Sequence, residues 1–321
     1  MAPGISIRAT HVVALIVCFA LSSSGVAQPH PSSEGQAPEQ DANQRAPAAD
    51  NVPSVTIEAQ SELEKRVHVY VRKITSNTRF QRESLARWNK SLCFEVAGLP
   101  RRDAEFMVGR LTKIAMSVGA HVQARECSRH NANFYVVFTP DPTKTLKYLK
   151  RHPRLLFDRD ASSVQINKFL EDSTPLPVRI WHNAELIGAN GTVLGRNNSC
   201  GGFDSNVFTI NCDAGGTRLT LQAVEGLSEA VIVFDANRID GMNLGQLTDY
   251  TAMAGLVDLD INAELADAPT ILRLFTQTDG PRPQGLTEWD QAFLNATYHT
   301  DQRSFDQRDI IARYVARDLR H

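Results

Sequence analysis

The chain has 321 residues, 42% hydrophobic and 22% charged, an ordinary globular composition with ample apolar material for a core. A net charge of −2 with no sustained stripe of Lys or Arg provides no source of phosphate neutralisation, which argues against nucleic-acid binding as the main function. The length suits about one or two domains.

The N-terminus reads as a secretory signal over residues 1–27. Arg8 makes the start weakly positive, and the apolar run Val12 to Leu21 is too short to span a membrane. Small residues follow, and cleavage after Ala27 leaves Gly25 and Ala27 at the −3 and −1 places. The alternative is an uncleaved N-terminal anchor. A lipoprotein reading through Cys18 is opposed by Val17, which stands where a small residue is wanted. No other segment reaches the roughly 18 apolar residues of a span. The expected location is therefore periplasmic or secreted, with no stable transmembrane anchor after cleavage. Residues 28–54 are rich in Pro, Gln, Ala, Ser and Asp and cannot bury enough surface to offset their ordering entropy, so they are expected to form a disordered linker.

The folded part is expected to begin near Val55 with an N-terminal α/β subdomain over 55–175. Leu63, Val67, Tyr70, Val71 and Ile74 have helical spacing, which predicts a helix over 57–76. A strand near Leu92–Val96 precedes a break at Gly98-Leu99-Pro100. A second helix is predicted over 101–118, stopped by Gly119. His121–Glu126 and Asn133–Thr139 read as strands, and 143–157 and 161–171 as short helices.

A C-terminal subdomain is expected over 176–321. It opens β-rich, with strands at Val178–Trp181, Val207–Asn211, Thr217–Ala223 and Ala230–Phe234 separated by glycine turns. Asn243 and Gln246 form a capping box for a helix over 243–255 whose buried face is Leu247, Tyr250, Met253 and Ala254 and whose stop is Gly255. Thr287 and Asp290 open another helix over 286–299, and 306–320 is a terminal helix. The fold class is α+β with mixed α/β layers.

Beyond the signal, Cys93, Cys127, Cys200 and Cys212 remain. In an exported chain they suggest two disulfides with three possible pairings, and sequence proximity favours Cys93–Cys127 and Cys200–Cys212. A metal site is disfavoured, because no spacing is C-x-x-C and no His cluster accompanies them.

The segment Thr248-Asp249-Tyr250-Thr251-Ala252-Met253-Ala254-Gly255-Leu256-Val257-Asp258 overlays the zinc-peptidase pattern H-E-x-x-H-x-x-G-x-x-H, with Gly255 on its glycine. Thr248, Ala252 and Asp258 stand at the ligand positions and Asp249 at the general-base position. Downstream, Pro269–Phe275 is similar to a Met-turn with Leu272 near the methionine place, and Leu286–Asp290 with Ala292–Tyr298 is similar to the helix that closes such folds. Over about residues 240–300 the chain resembles the zincin-like metallopeptidases, metzincins in particular. The resemblance implies a zincin-like scaffold with a degenerate active-site-like helix. It makes Asp249 the candidate general base and Thr248, Ala252 and Asp258 the lining of a former active-site cleft. Alanine cannot bind a metal, so no metal or cofactor is expected. The bland reading of the same residues is a core helix stopped by glycine.

Asp249, Asp258 and Asp260 also form an acidic group that suits a Lys or Arg partner or, alternatively, a hard cation. Asp235–Gly241 reads as a turn, since it lacks EF-hand spacing. The glycine pairs 201–202 and 215–216 fail as phosphate cradles, and no G-x-S-x-G elbow occurs. The histidines are scattered with no i, i+4 pair, and the tryptophans read as core anchors.

Two functions from different classes follow. The first is an exported, non-catalytic binding protein, a pseudoenzyme whose cleft takes a peptide or an envelope protein. The second is a hydrolase with relocated metal ligands or with Asp249 as a general acid/base, which would need a tuned partner and a positioned nucleophile. A purely structural envelope protein is a third.

Overall fold

The computed structural model describes residues 53–76, 84–123, 127–128, 130–152, 163–171, 176–188, 191, 193, 220–221, 223–265, 268–276 and 281–320. The signal-like segment, the linker up to residue 52 and the expected Cys200–Cys212 pair lie outside these residues, as does the expected strand Val207–Asn211.

Helix α1 (Pro53–Ile74) buries Val67, Tyr70, Val71 and Ile74, the apolar stripe read from the sequence. After the short strand β1 (Arg87–Trp88) and strand β2 (Phe94–Ala97) comes α2 (Arg101–Ser117), which buries Met107, Leu111 and Ala115 at i, i+4 and i+8. Gly119 stops α2 as expected. Its φ of 90° lets Ala120 N donate to Ala115 O at 2.9 Å and Gly119 N to Met116 O at 3.1 Å, a Schellman closure. Of the expected strand 121–126, only an isolated bridge between Leu92 and Val122 forms among the described residues. Cys93 and Cys127 are joined as a disulfide, with Cα atoms 5.2 Å apart.

Strand β3 (Phe134–Thr139) leads to α3 (Pro142–Arg151), α4 (Ser163–Leu170) and the antiparallel strand β4 (Val178–Gly188). Strand β5 (Ala223–Asp235) is the axis of the five-stranded sheet. One edge of β5 pairs antiparallel with β4, from Val178↔Phe234 to Gly188↔Ala223. The other edge pairs parallel with β3 over 134–139 and with β1 at Gly226 and Leu227, while β2 lies parallel outside β3. The sheet thus takes strands from both sides of the expected division at 175/176.

Residues Ala230–Phe234 of β5 are all buried, as expected of a strand covered on both faces. Ala230, Ile232 and Phe234 enter the main core with α1, α2 and the C-terminal helices, whereas Val231 and Val233 join a second cluster with Leu146, Phe169 and Trp181 under α3 and α4. The architecture is therefore mixed α/β, with a mostly parallel sheet layered between helices.

Helix α5 (Leu244–Leu256) starts at the expected capping box. Asn243 Oδ1 accepts from Gln246 N and Gln246 Oε1 from Asn243 N, both at 2.9 Å. Two expectations about α5 are corrected. Every residue from Gln246 to Leu256 is buried, not one face only, because α5 packs against the sheet, α2 and the elements that follow it. Gly255 does not end the helix, which runs on to Leu256. A Cβ at Gly255 would stand 2.3 Å from the Phe134 ring, so glycine here allows close helix–sheet approach.

Beyond α5 lie a 3₁₀ turn (Ile271–Leu274), α6 (Glu288–His299) and α7 (Gln307–Asp318), which packs on α1 and α6. Thr287 and Asp290 form the expected capping box of α6.

Candidate functional site

A cleft of about 580 Å³ opens beside α5. Its first wall is the start of β4 with Leu176 and Pro177, and its second is the segment 258–262 that follows α5. Tyr250 of α5 and Leu272 and Phe275 at the 3₁₀ turn supply its apolar base. Tyr250 and Phe275 meet edge to face, with ring centroids 4.8 Å apart. Burial pushes the Tyr250 phenol well above its ordinary value, so its hydroxyl stays neutral.

Polar groups line the cleft about as extensively as apolar ones. Period-two alternation along β4 turns His182 toward α5 and the segment after it. There its Nδ1 lies 3.1 Å from Asp258 Oδ1, with both residues buried. A carboxylate only accepts, so Nδ1 is the donor. Arg179 of the same strand is buried and donates to Phe169 O at 3.3 Å. Asp260 Oδ1 accepts from Asn262 N at 3.0 Å, which shapes the second wall.

Among the residues singled out by the motif, Asp258 lines this cleft and Thr248, Asp249 and Ala252 do not. Thr248 is fully buried, and its hydroxyl donates back to Leu244 O at 2.6 Å. Ala252 is core. Asp249 points to α2, where Arg110 grips it with two parallel bonds, Nε to Oδ1 at 2.5 Å and Nη2 to Oδ2 at 2.7 Å. Leu286 N donates to the same Oδ2 at 2.8 Å. The hydrogen bond to Asp249 raises the Arg110 guanidinium further above its ordinary value. Both carboxylate oxygens are thus engaged, and the group that stood at the general-base position holds α5 to α2 and to the approach of α6.

Leu272, at the methionine place, lies under the cleft and is 2% exposed. Asp290 is fully buried. Its oxygens accept from the hydroxyls of Thr270 at 2.5 Å and Tyr70 at 3.2 Å and from Ile271 N at 2.8 Å and Thr287 N at 2.9 Å. It thereby ties α1, the 3₁₀ turn and α6 together. No group of three or more His, Cys, Asp or Glu suited to a metal ion occurs among the described residues.

Sequence reasoning missed His182, Tyr250 and Arg179 as cleft residues. His182 and Asp258 are 76 positions apart, so no spacing rule joins them. The only available signal was the alternation of β4, which assigns His182 a face but not a neighbour. No family model matches the chain, and neither does any curated protein or solved structure.

Proposed function

We propose that this protein is an exported binding module on a scaffold like that of the zinc peptidases, without their zinc chemistry, and that its cleft holds a peptide segment of a partner in the cell envelope. The observation that carries this reading is the cleft itself. One wall is a β-strand, the base is aromatic and aliphatic, and polar side chains on both walls, Arg179, Asp260 and Asn262 among them, sit where they can orient a ligand. The residues at the zinc-ligand positions support it. Ala252 has no donor atom, the Thr248 hydroxyl is spent on the helix backbone, and neither side chain reaches the cleft.

The competing reading, a hydrolase with Asp249 as its base, has to draw the proton to a carboxylate already held by a guanidinium and a backbone N–H. Both oxygens of this group are occupied, which suits an anchor between elements.

The test is fluorescence polarisation of labelled peptide libraries on the mature chain, beside variants that fill the rim. Thr276 is exposed at the cleft edge, and Thr276→Trp narrows the cleft without touching the core. The expected result is saturable binding, about tenfold or more weaker in Thr276→Trp, with peptides recovered intact. Cleavage of a quenched peptide library, stopped by a chelator and accompanied by stoichiometric zinc in elemental analysis, would overturn the reading.

A further inference from the structure

We infer that the His182–Asp258 pair is a buried strut that sets the width of the cleft by tying the segment after α5 to strand β4. Its meaning for ligand capture rests on the binding reading above. Backbone bonds hold the segment on the side away from β4. Val257 bridges Arg87, Asp258 N donates to Ala86 O at 3.0 Å, and Asp260 N donates to Ile74 O at 2.8 Å. The Asp258 side chain reaches the other way, to His182 on the opposite wall. The two walls therefore meet through side chains that are 4% and 8% exposed. A pair so enclosed is held firmly, because parting it gives up a buried hydrogen bond that solvent is poorly placed to replace. β4 itself is fixed along its length to β5, so the wall that gives way when the strut is removed is 258–262.

The experiment is amide hydrogen exchange on the full mature chain with three variants. Asp258→Ala removes the acceptor. Asp258→Asn keeps a carbonyl oxygen for His182 Nδ1. The double variant His182→Ala/Asp258→Ala removes both members of the pair, so neither is left buried without the other. The expected result is exchange about tenfold faster at 258–263 in Asp258→Ala or in the double variant, near-normal exchange in Asp258→Asn, and unchanged protection in β5, α6 and α7. Unchanged exchange at 258–263, or an equal rise through β5 and α6, would overturn the strut. If 258–263 loosens as expected while no peptide binds the parent protein, the strut stands and the binding reading falls.

Discussion

Gly255 and Gly109 both sit inside helices, and alanine is expected to have opposite effects at the two. Helix propensity alone favours alanine by about 1 kcal/mol at either place. At Gly109 of α2 nothing lies within 4 Å of the added Cβ, so Gly109→Ala should raise stability by about 0.5–1 kcal/mol in urea unfolding. At Gly255 the Cβ meets the buried Phe134 ring at 2.3 Å and Ile232 Cδ1 at 3.1 Å. Neither neighbour can swing into solvent, so Gly255→Ala should destabilise by about 1–3 kcal/mol, the ordinary cost of overpacking. Asp249 also takes its meaning from its neighbours. Arg110→Ala strips two of the three bonds to a carboxylate that is 1% exposed. Because the guanidinium itself is 44% exposed, solvent softens the loss to about 1–3 kcal/mol, less than for a fully enclosed pair. A double-mutant cycle with Asp249→Ala measures the coupling, and additive effects would show that the anchor carries no weight.

Capping residues made the starts of α5 and α6 legible, because Asn243/Gln246 and Thr287/Asp290 act within four residues of each other. The second task of Asp290 was not legible, since its partners Tyr70, Thr270 and Ile271 come from other elements. Burial penalises its charge more than these donors favour it, and the carboxyl titrates above its ordinary value of 3.8. The folded protein then holds this proton more tightly than the unfolded chain does. The contribution to stability is full below the unfolded value and is lost as pH rises through the folded one. Asp290→Asn turns an amide toward donors and should cost about 1–3 kcal/mol. The stability gap between wild type and Asp290→Asn should also narrow as pH rises from below about 4. Urea unfolding at stepped pH checks both, and a gap that widens with pH would contradict the assigned sign.

At the scale of the molecule, the sheet gathers strands β1, β2 and β3 with β4 and β5 around one axis. The disulfide Cys93–Cys127 closes a stretch of 34 positions ahead of β3. On a chain-entropy estimate its removal costs about 3–4 kcal/mol. Cys93→Ser/Cys127→Ser should accordingly lower the melting temperature, and a reductant should shift the parent protein toward the variant. The cleft is a product of this scale, with one wall from β4, the other from the chain after α5 and the base from α5 and the 3₁₀ turn.

Local chemistry in the sequence was enough for the helices, the caps of α5 and α6, the glycine stop of α2 and the mixed α/β class, because hydrophobic period, capping and short-range turn geometry act between near neighbours, whereas the Cys93–Cys127 pairing was only favoured among three and was decided by the fold. Only the tertiary structure decided what the motif residues do. The same eleven-residue segment supplies an anchor at Asp249, core at Ala252, a close-packing glycine at 255 and two cleft residues, Tyr250 and Asp258, the second paired with His182. Which side of a fully buried helix faces a cleft depends on the elements around it, and those come from distant parts of the chain.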